Sequence, residues 1–235
     1  METRNYDLPV AVTLRLQSRS GKVHAVAERR DDIEAETDEL ESFLDDHGRT
    51  LVVRSARGGS KPLVVRCPID TDVVIGTHSG SVALEGRFGA ARVTTMSGGI
   101  SVADAEEADL RTMSGSIEVG TVRGRVRLNA VSGKVTAVEV DDASASTVSG
   151  QIVLSHVLGD VRARSVSGNI DMSASGDGRI AVKTVSGRVR IALPEGTEPS
   201  TFFKTRGNVR CDFPRGGDCR IECASLSGSI EVVPA

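Results

Sequence analysis

A Ser-Gly pair returns along this chain at a nearly constant interval: at 79-80, 97-98, 114-115, 132-133, 149-150, 167-168, 186-187 and 227-228. Arg206-Gly207 stands where a further copy is due, so successive steps run from 17 to 21 residues. Two residues after each glycine comes a branched apolar residue, as in Ile100, Ile117, Val135, Ile152, Ile170, Val189, Val209 and Ile230. Two further on stand Val102, Val119, Ala137, Leu154, Met172, Ile191, Cys211 and Val232, with mostly polar residues between. Upstream of each serine the alternation repeats, as in Val161/Ala163 and Ile180/Val182, while the odd offsets carry Arg162, Arg164 and Lys183. A period of two describes a strand with one buried face.

Each unit therefore reads as a strand, a Ser-Gly corner, a second strand and a further corner at Gly or Asp. Glycine suits the corner because it tolerates backbone angles that a Cβ forbids. Antiparallel hairpins would alternate mirror-related patterns, whereas here one pattern returns in one direction. Equivalent strands are thus expected to stack in parallel, giving an all-β, single-stranded parallel β-helix (β-solenoid) with coils of about 17–21 residues. Ile152 and Ile170 belong to the inward register. At about 4.8 Å per coil, eight steps give a rod of roughly 40 Å. No cofactor is needed to hold it together.

The two ends depart from this regularity. Residues 10 to 27, from Val10-Ala11-Val12 onward, read as two strands around an irregular Ser20-Gly21 corner. Residues 28 to 46 hold ten acids, Glu28 through Asp46, against Arg29 and Arg30 alone. Leu40, Phe43 and Leu44 leave this stretch open to a strand pair or one helical turn. Residues 1–70 are expected to form irregular coils capping, and continuous with, the regular coils of 71–235. At the other end the chain stops at Glu231-Val232-Val233-Pro234-Ala235, straight after a repeat strand. An uncovered coil invites pairing with another chain. Pro234, or the insertions Pro194–Pro199 and Pro214-Arg215-Gly216-Gly217, would blunt it. A self-capped monomer and end-to-end self-association both remain open.

Composition narrows the function. The 235 residues carry 29 Lys+Arg against 32 Asp+Glu, a formal charge of −3, so no global basic balance favours nucleic acid. No apolar run approaches the roughly 18 residues of a spanning helix. The opening Met1-Glu2-Thr3-Arg4-Asn5-Tyr6-Asp7 has no apolar signal core, and four cysteines without a signal fit a reducing, cytoplasmic setting. With no Trp and one Tyr, the stacking platforms of sugar-binding solenoids are missing.

Side chains able to do chemistry each have a plainer reading. Cys211, Cys219 and Cys223 are close in sequence but lack a nearby histidine, and with Cys67 they read mainly as buried small hydrophobes rather than zinc or redox ligands. His24, His47, His78 and His156 are scattered. The corner serines, Ser79 through Ser227, cannot each have a dedicated base, so hydrogen bonding along the stack is expected and nucleophilic catalysis is not. Asp104, Glu106, Glu107, Asp141, Asp142 and Asp160 fall near corners, as a solvated edge or a cation site. Arg123, Arg125, Arg127, Arg162, Arg164, Lys183, Arg188 and Arg190, extended by Arg92 and Arg111, form a candidate outward basic column, interrupted by Asp109, Glu118 and Asp171. No catalytic, cofactor-binding or metal residue is assigned.

The repeated Thr-Val-Ser-Gly-x-Ile/Val-x-Val, preceded by Leu51 to Val53 and Val64 to Ile69, resembles the DUF4097 family of proposed-adhesin β-strand repeat proteins. The resemblance covers residues 50 to 235 well and the first 50 loosely. It implies a right-handed winding and brings no established activity and no catalytic residue. The expectation is a non-enzymatic scaffold that binds a protein partner, or a second copy, through a solenoid face or end. A self-assembling polymer like the cytoplasmic bactofilins and a carbohydrate-active β-helix enzyme are the alternatives.

Overall fold

The computed structural model describes residues 2–6, 12–45, 48–55, 62–214, 216–217 and 219–235. Val10, Ala11, Asp46, His47 and Arg215 lie outside them. The described chain is all-β and divides into two units, Met1–Glu118 and Val119–Ala235.

The first unit contains β1 (Glu2–Tyr6), β2 (Thr13–Ser18), β3 (Val23–Glu28), β4 (Ile33–Thr37), β5 (Leu40–Leu44), β6 (Thr50–Ser55), β7 (Leu63–Pro68), β8 (Val73–Thr77), β9 (Val82–Ser97) and β10 (Ile100–Ser114). Strand β11 (Ile117–Ser132) straddles the boundary. The second unit continues with β12 (Val135–Ser149), β13 (Ile152–Val157), β14 (Val161–Ser167), β15 (Ile170–Ala174), β16 (Arg179–Ser186), β17 (Val189–Leu193), β18 (Ser200–Lys204), β19 (Val209–Cys211), β20 (Arg220–Ser227) and β21 (Ile230–Pro234).

Within each unit the repeats stack in parallel and in register. In the second unit Ile152 pairs with Ile170, Ile170 with Val189, and Ser149, Ser167, Ser186 and Ser227 follow one another at the corner. In the first, Ser97 pairs with Ser114 and Ile100 with Val82. The period-two side chains point as expected: Ile152, Ile170, Val161 and Ala163 have no exposed surface. Each such Ile or Val contributes about 1.5 to 3 kcal/mol by leaving water.

The order of coils in space differs from their order in the chain at both ends. Strands β2 and β3 are not outermost. Strand β2 lies between β6 and β8, and β3 between β7 and the start of β9. Outside them, β5 pairs antiparallel with β6, β4 with β7, and β1 with β4. The acidic stretch is thus strand and not helix. Its charge gathers on Arg30, whose guanidinium binds Asp32 at 2.9 and 3.0 Å and reaches Glu28 and Glu34 at 3.2 Å.

At the other end β20 lies between β16 and β18, and β21 between β17 and β19. The sequence spacing alone places the Arg206-Gly207 coil between those of Ser186 and Ser227; in the structure the final coil occupies that place. Two physical terms favour this order. Ile221, Cys223, Ile230 and Val232 are the better core residues and are at most 2% exposed, whereas no residue of β18 or β19 is buried. On the outer face the inserted strand also sets Glu231 between Arg190 and Arg210, continuing the alternation from Asp171. Chain order would have set the two arginines side by side, and like charges directly opposite destabilise a ladder. The last repeat strand is therefore covered, by β19, and the end of the stack is the β18–β19 coil.

The corner glycines serve a steric purpose beyond the one expected. Gly98 and Gly187 do have positive φ, 156° and 133°. Gly150 and Gly228 do not, yet a Cβ on either would run into the carbonyl of the glycine one coil away, Gly133 or Gly187. Close approach of adjacent backbones is the shared requirement.

Candidate functional site

A strand whose even offsets are buried must present its odd offsets to solvent. In the second unit the three odd offsets before each corner serine form three outward columns. The column nearest the corner is apolar: Val131, Val148, Val166, Val185 and Leu226, each 45 to 55% exposed. The ladders that pair Ser149, Ser167, Ser186 and Ser227 hold Val148, Val166, Val185 and Leu226 in one line. Two residues upstream, Arg164 and Lys183 are direct neighbours, with Arg162 one step farther back on the same face. The result is an exposed apolar ladder edged by three cations. In the first unit the same offset carries His78, Met96 and Met113, and both methionines are about half exposed.

The sequence reading took these residues only as part of the repeat signature. The signal for exposure was present, because Val166 and Val185 share the parity of Arg164 and Lys183. An apolar residue at a charged parity is an outward one.

The other candidate residues fall into structural roles. Asp142 accepts a hydrogen bond from the Asp160 amide at 2.9 Å, and Asp160 from the Arg179 amide at 2.9 Å. In the first unit Asp72, which the sequence reading did not single out, does the same for Ala90 at 2.7 Å. These carboxylates bracket the second corner from one coil to the next. Glu106 and Glu107 are exposed, and Asp104 is engaged in an interaction on β10. Among the described residues no group of three or more His, Cys, Asp or Glu is placed to hold a metal ion.

All four thiols are unbridged. Burial pushes Cys67 up to about 11 and Cys223 up to about 12, and raises Cys219 as well. Cys211, expected inward, is only half-buried because it belongs to the terminal strand β19. His24 lies 3.0 Å from Glu85, while His78 and His156 are exposed on separate strands or turns.

The basic column does not survive as one feature. Arg111 makes a two-point contact with Asp109 at 3.0 Å, and Arg92 faces that same aspartate. Arg190 stands between Asp171 and Glu231 on the other strand set. Arg123 has a partner of its own, and the Arg188 backbone amide donates to Asn169 Oδ1 at 3.1 Å. Arg125 and Arg127 lie on β11. Arg162, Arg164 and Lys183 lie together across the β14–β16 ladder. Glu222, on the strand beyond Lys183, is engaged by Arg179 at 2.9 and 3.0 Å and by Arg220 at 2.8 Å, which holds it below the usual carboxylate range.

Among the described residues no helix is long and apolar enough to cross a membrane. No protein of curated function matches the sequence. Several solved structures resemble the fold, three of them as follows. One is a proposed adhesin from Bacteroides fragilis NCTC 9343, 12% identical, covering 98% of this chain and 96% of that one, with a TM-score of 0.47. Another is from Parabacteroides distasonis ATCC 8503, 9% identical over 98% and 97%, TM-score 0.45. A third, from Parabacteroides merdae ATCC 43184, is 8% identical over 98% and 95%, TM-score 0.41. At these scores they carry no argument about function. The profile of the family described as Toastrack DUF4097 matches residues 14–215, and with most of the chain accounted for by that match, this protein belongs to the DUF4097 (Toastrack) family.

Proposed function

We propose that the protein is a non-enzymatic, right-handed β-solenoid scaffold of adhesin-like type that binds a protein partner through its corner face. The observation that carries this reading is the in-line exposure of Val148, Val166, Val185 and Leu226 beside Arg162, Arg164 and Lys183. Side chains of this size, held in line by the ladder, lose little entropy on docking. The partner they fit has an apolar strip bordered by carboxylates.

Support for a non-enzymatic role comes from the corner carboxylates, since Asp142 and Asp160 already accept from backbone amides. Right-handed winding is part of the proposal as what membership of the family implies. A reducing, cytoplasmic setting is part of the proposal, supported by four unbridged thiols.

The test is capture from native cell extract by the intact protein and by a Val166→Glu, Val185→Glu variant, with mass spectrometry of what is retained. A partner retained by the parent and lost by the equally stable variant supports the reading. Identical retention by both overturns the assignment of this face, and turnover of a polysaccharide by the pure protein overturns the non-enzymatic role.

A further inference from the structure

Strand β18, Ser200-Thr201-Phe202-Phe203-Lys204, is the outermost strand of its stack, and among the described residues only β20 pairs with it. The Ser200 amide donates to the Cys219 carbonyl at 2.7 Å. Alternate residues of a strand present their backbone polar groups to opposite neighbours. Ser200, Phe202 and Lys204 therefore face β20, and the N–H and C=O groups of Thr201 and Phe203 face the open edge. Within this edge there is no proline, no glycine and no inward charge; its one charge, Lys204, stands at its end, and Phe202 is 66% exposed.

We propose that a second copy of this chain pairs with β18 in an antiparallel, two-fold-symmetric ladder centred on Phe202. This deepens the scaffold reading by naming one partner and the surface that takes it. In that register Thr201 lies opposite Phe203 of the second copy, and each such pair exchanges two backbone hydrogen bonds, four in all. Phe202 meets its own symmetry mate in the close, non-hydrogen-bonded position, where two aromatic rings pack well. Ser200 lies opposite Lys204. Just beyond the strand, Glu198 lies opposite Arg206, twice, and both are exposed.

The neighbouring registers are poorer. Centring on Thr201 sets Phe203 against Pro199, which has no N–H to give. Centring on Phe203 sets Phe202 against Lys204 and separates Glu198 from Arg206. Of these three registers, only the one centred on Phe202 pairs all five strand residues. A contact of this kind closes on itself as a two-fold dimer.

The experiment is sedimentation equilibrium of the full chain over a rising concentration series, with Glu198→Arg, Arg206→Glu and their equimolar mixture. The parent is expected to move from 24.7 kDa toward twice that mass. Each single variant places like charges opposite twice, and is expected to weaken association at least tenfold. The mixture restores both Glu–Arg pairs and is expected to regain the parent's association. Phe202→Asp, at an exposed position, should keep its thermal midpoint and lose the dimer.

A parent that stays monomeric overturns the proposal, as does a parent that grows past the dimer. Dimerisation unaffected by the single variants, or a mixture that fails to recover it, also overturns it. The scaffold reading is tested apart from this, because Glu198→Arg leaves Val166 and Val185 intact and retains their partner, while Val166→Glu, Val185→Glu retains the dimer.

Discussion

Gly168 faces Gly150 one coil away so closely that a Cβ on Gly168 would overlap the Gly150 carbonyl oxygen. Backbone cannot move aside as a flexible side-chain end can. Gly168→Ala is therefore expected to destabilise the protein by about 3 kcal/mol. Gly76, with nothing within 4 Å of its Cβ position and no positive φ, is the control: Gly76→Ala should be close to neutral. Urea unfolding of the two variants checks the contrast, and equal midpoints would show that corner spacing is not what demands glycine.

Thr147 and Ser165 occupy the inward offset two residues before the corner, where their hydroxyls are buried without a hydrogen-bond partner among the described residues. In the first unit the equivalent Thr112 donates to the Gly98 carbonyl at 3.3 Å. An unsatisfied buried hydroxyl costs about 1 kcal/mol or more. Ser165→Ala should raise the thermal midpoint, and Ala130, at the same offset, shows that the stack already accommodates alanine there. Thr112→Ala should lower it. Calorimetry of both variants decides the matter.

Glu231 separates Arg190 from Arg210 on adjacent strands. Glu231→Arg would line up three cations, and is expected to cost about 1 kcal/mol, more at low ionic strength than at high. The salt dependence of the midpoint, compared with Glu231→Gln, is the measurement. A loss that does not shrink with added salt would mean that packing and not charge order is at stake.

The thiols give a pH prediction with a definite sign. The folded-state values of Cys67 and Cys223, about 11 and about 12, lie above the ordinary thiol value near 9. Above pH 9 the unfolded chain gives up protons that the folded chain retains, so stability is full below pH 9 and falls as pH rises toward 12. Cys223→Ala should flatten that fall. At neutral pH a thiol reagent should label Cys211 first, and the other three only in denaturant.

The parallel stack, the buried register and the belonging to a repeat class were all legible in residues such as Ile152, Ile170 and the corner serines. A period of two and a period near 18 are local regularities, and the burial of one strand face follows from them without knowledge of what lies beside it. The exposed ladder of Val148, Val166 and Val185 was equally legible by parity.

Which coil touches which was not legible at the ends. Insertion of β2–β3 and of β20–β21 one place inward depends on comparing coils far apart in the chain. The comparison turns on how well Ile221, Ile230 and Val232 fill a core beside Thr201 and Val209, and on keeping Arg190 from Arg210. Likewise the sequence leaves Asp142 and Asp160 as a solvated edge or a cation site, and only with the coils side by side do their oxygens meet backbone amides. Repetition specifies the winding because each coil reads alike; the order of the outermost coils is a contest between nonlocal contacts, and only the folded chain resolves it.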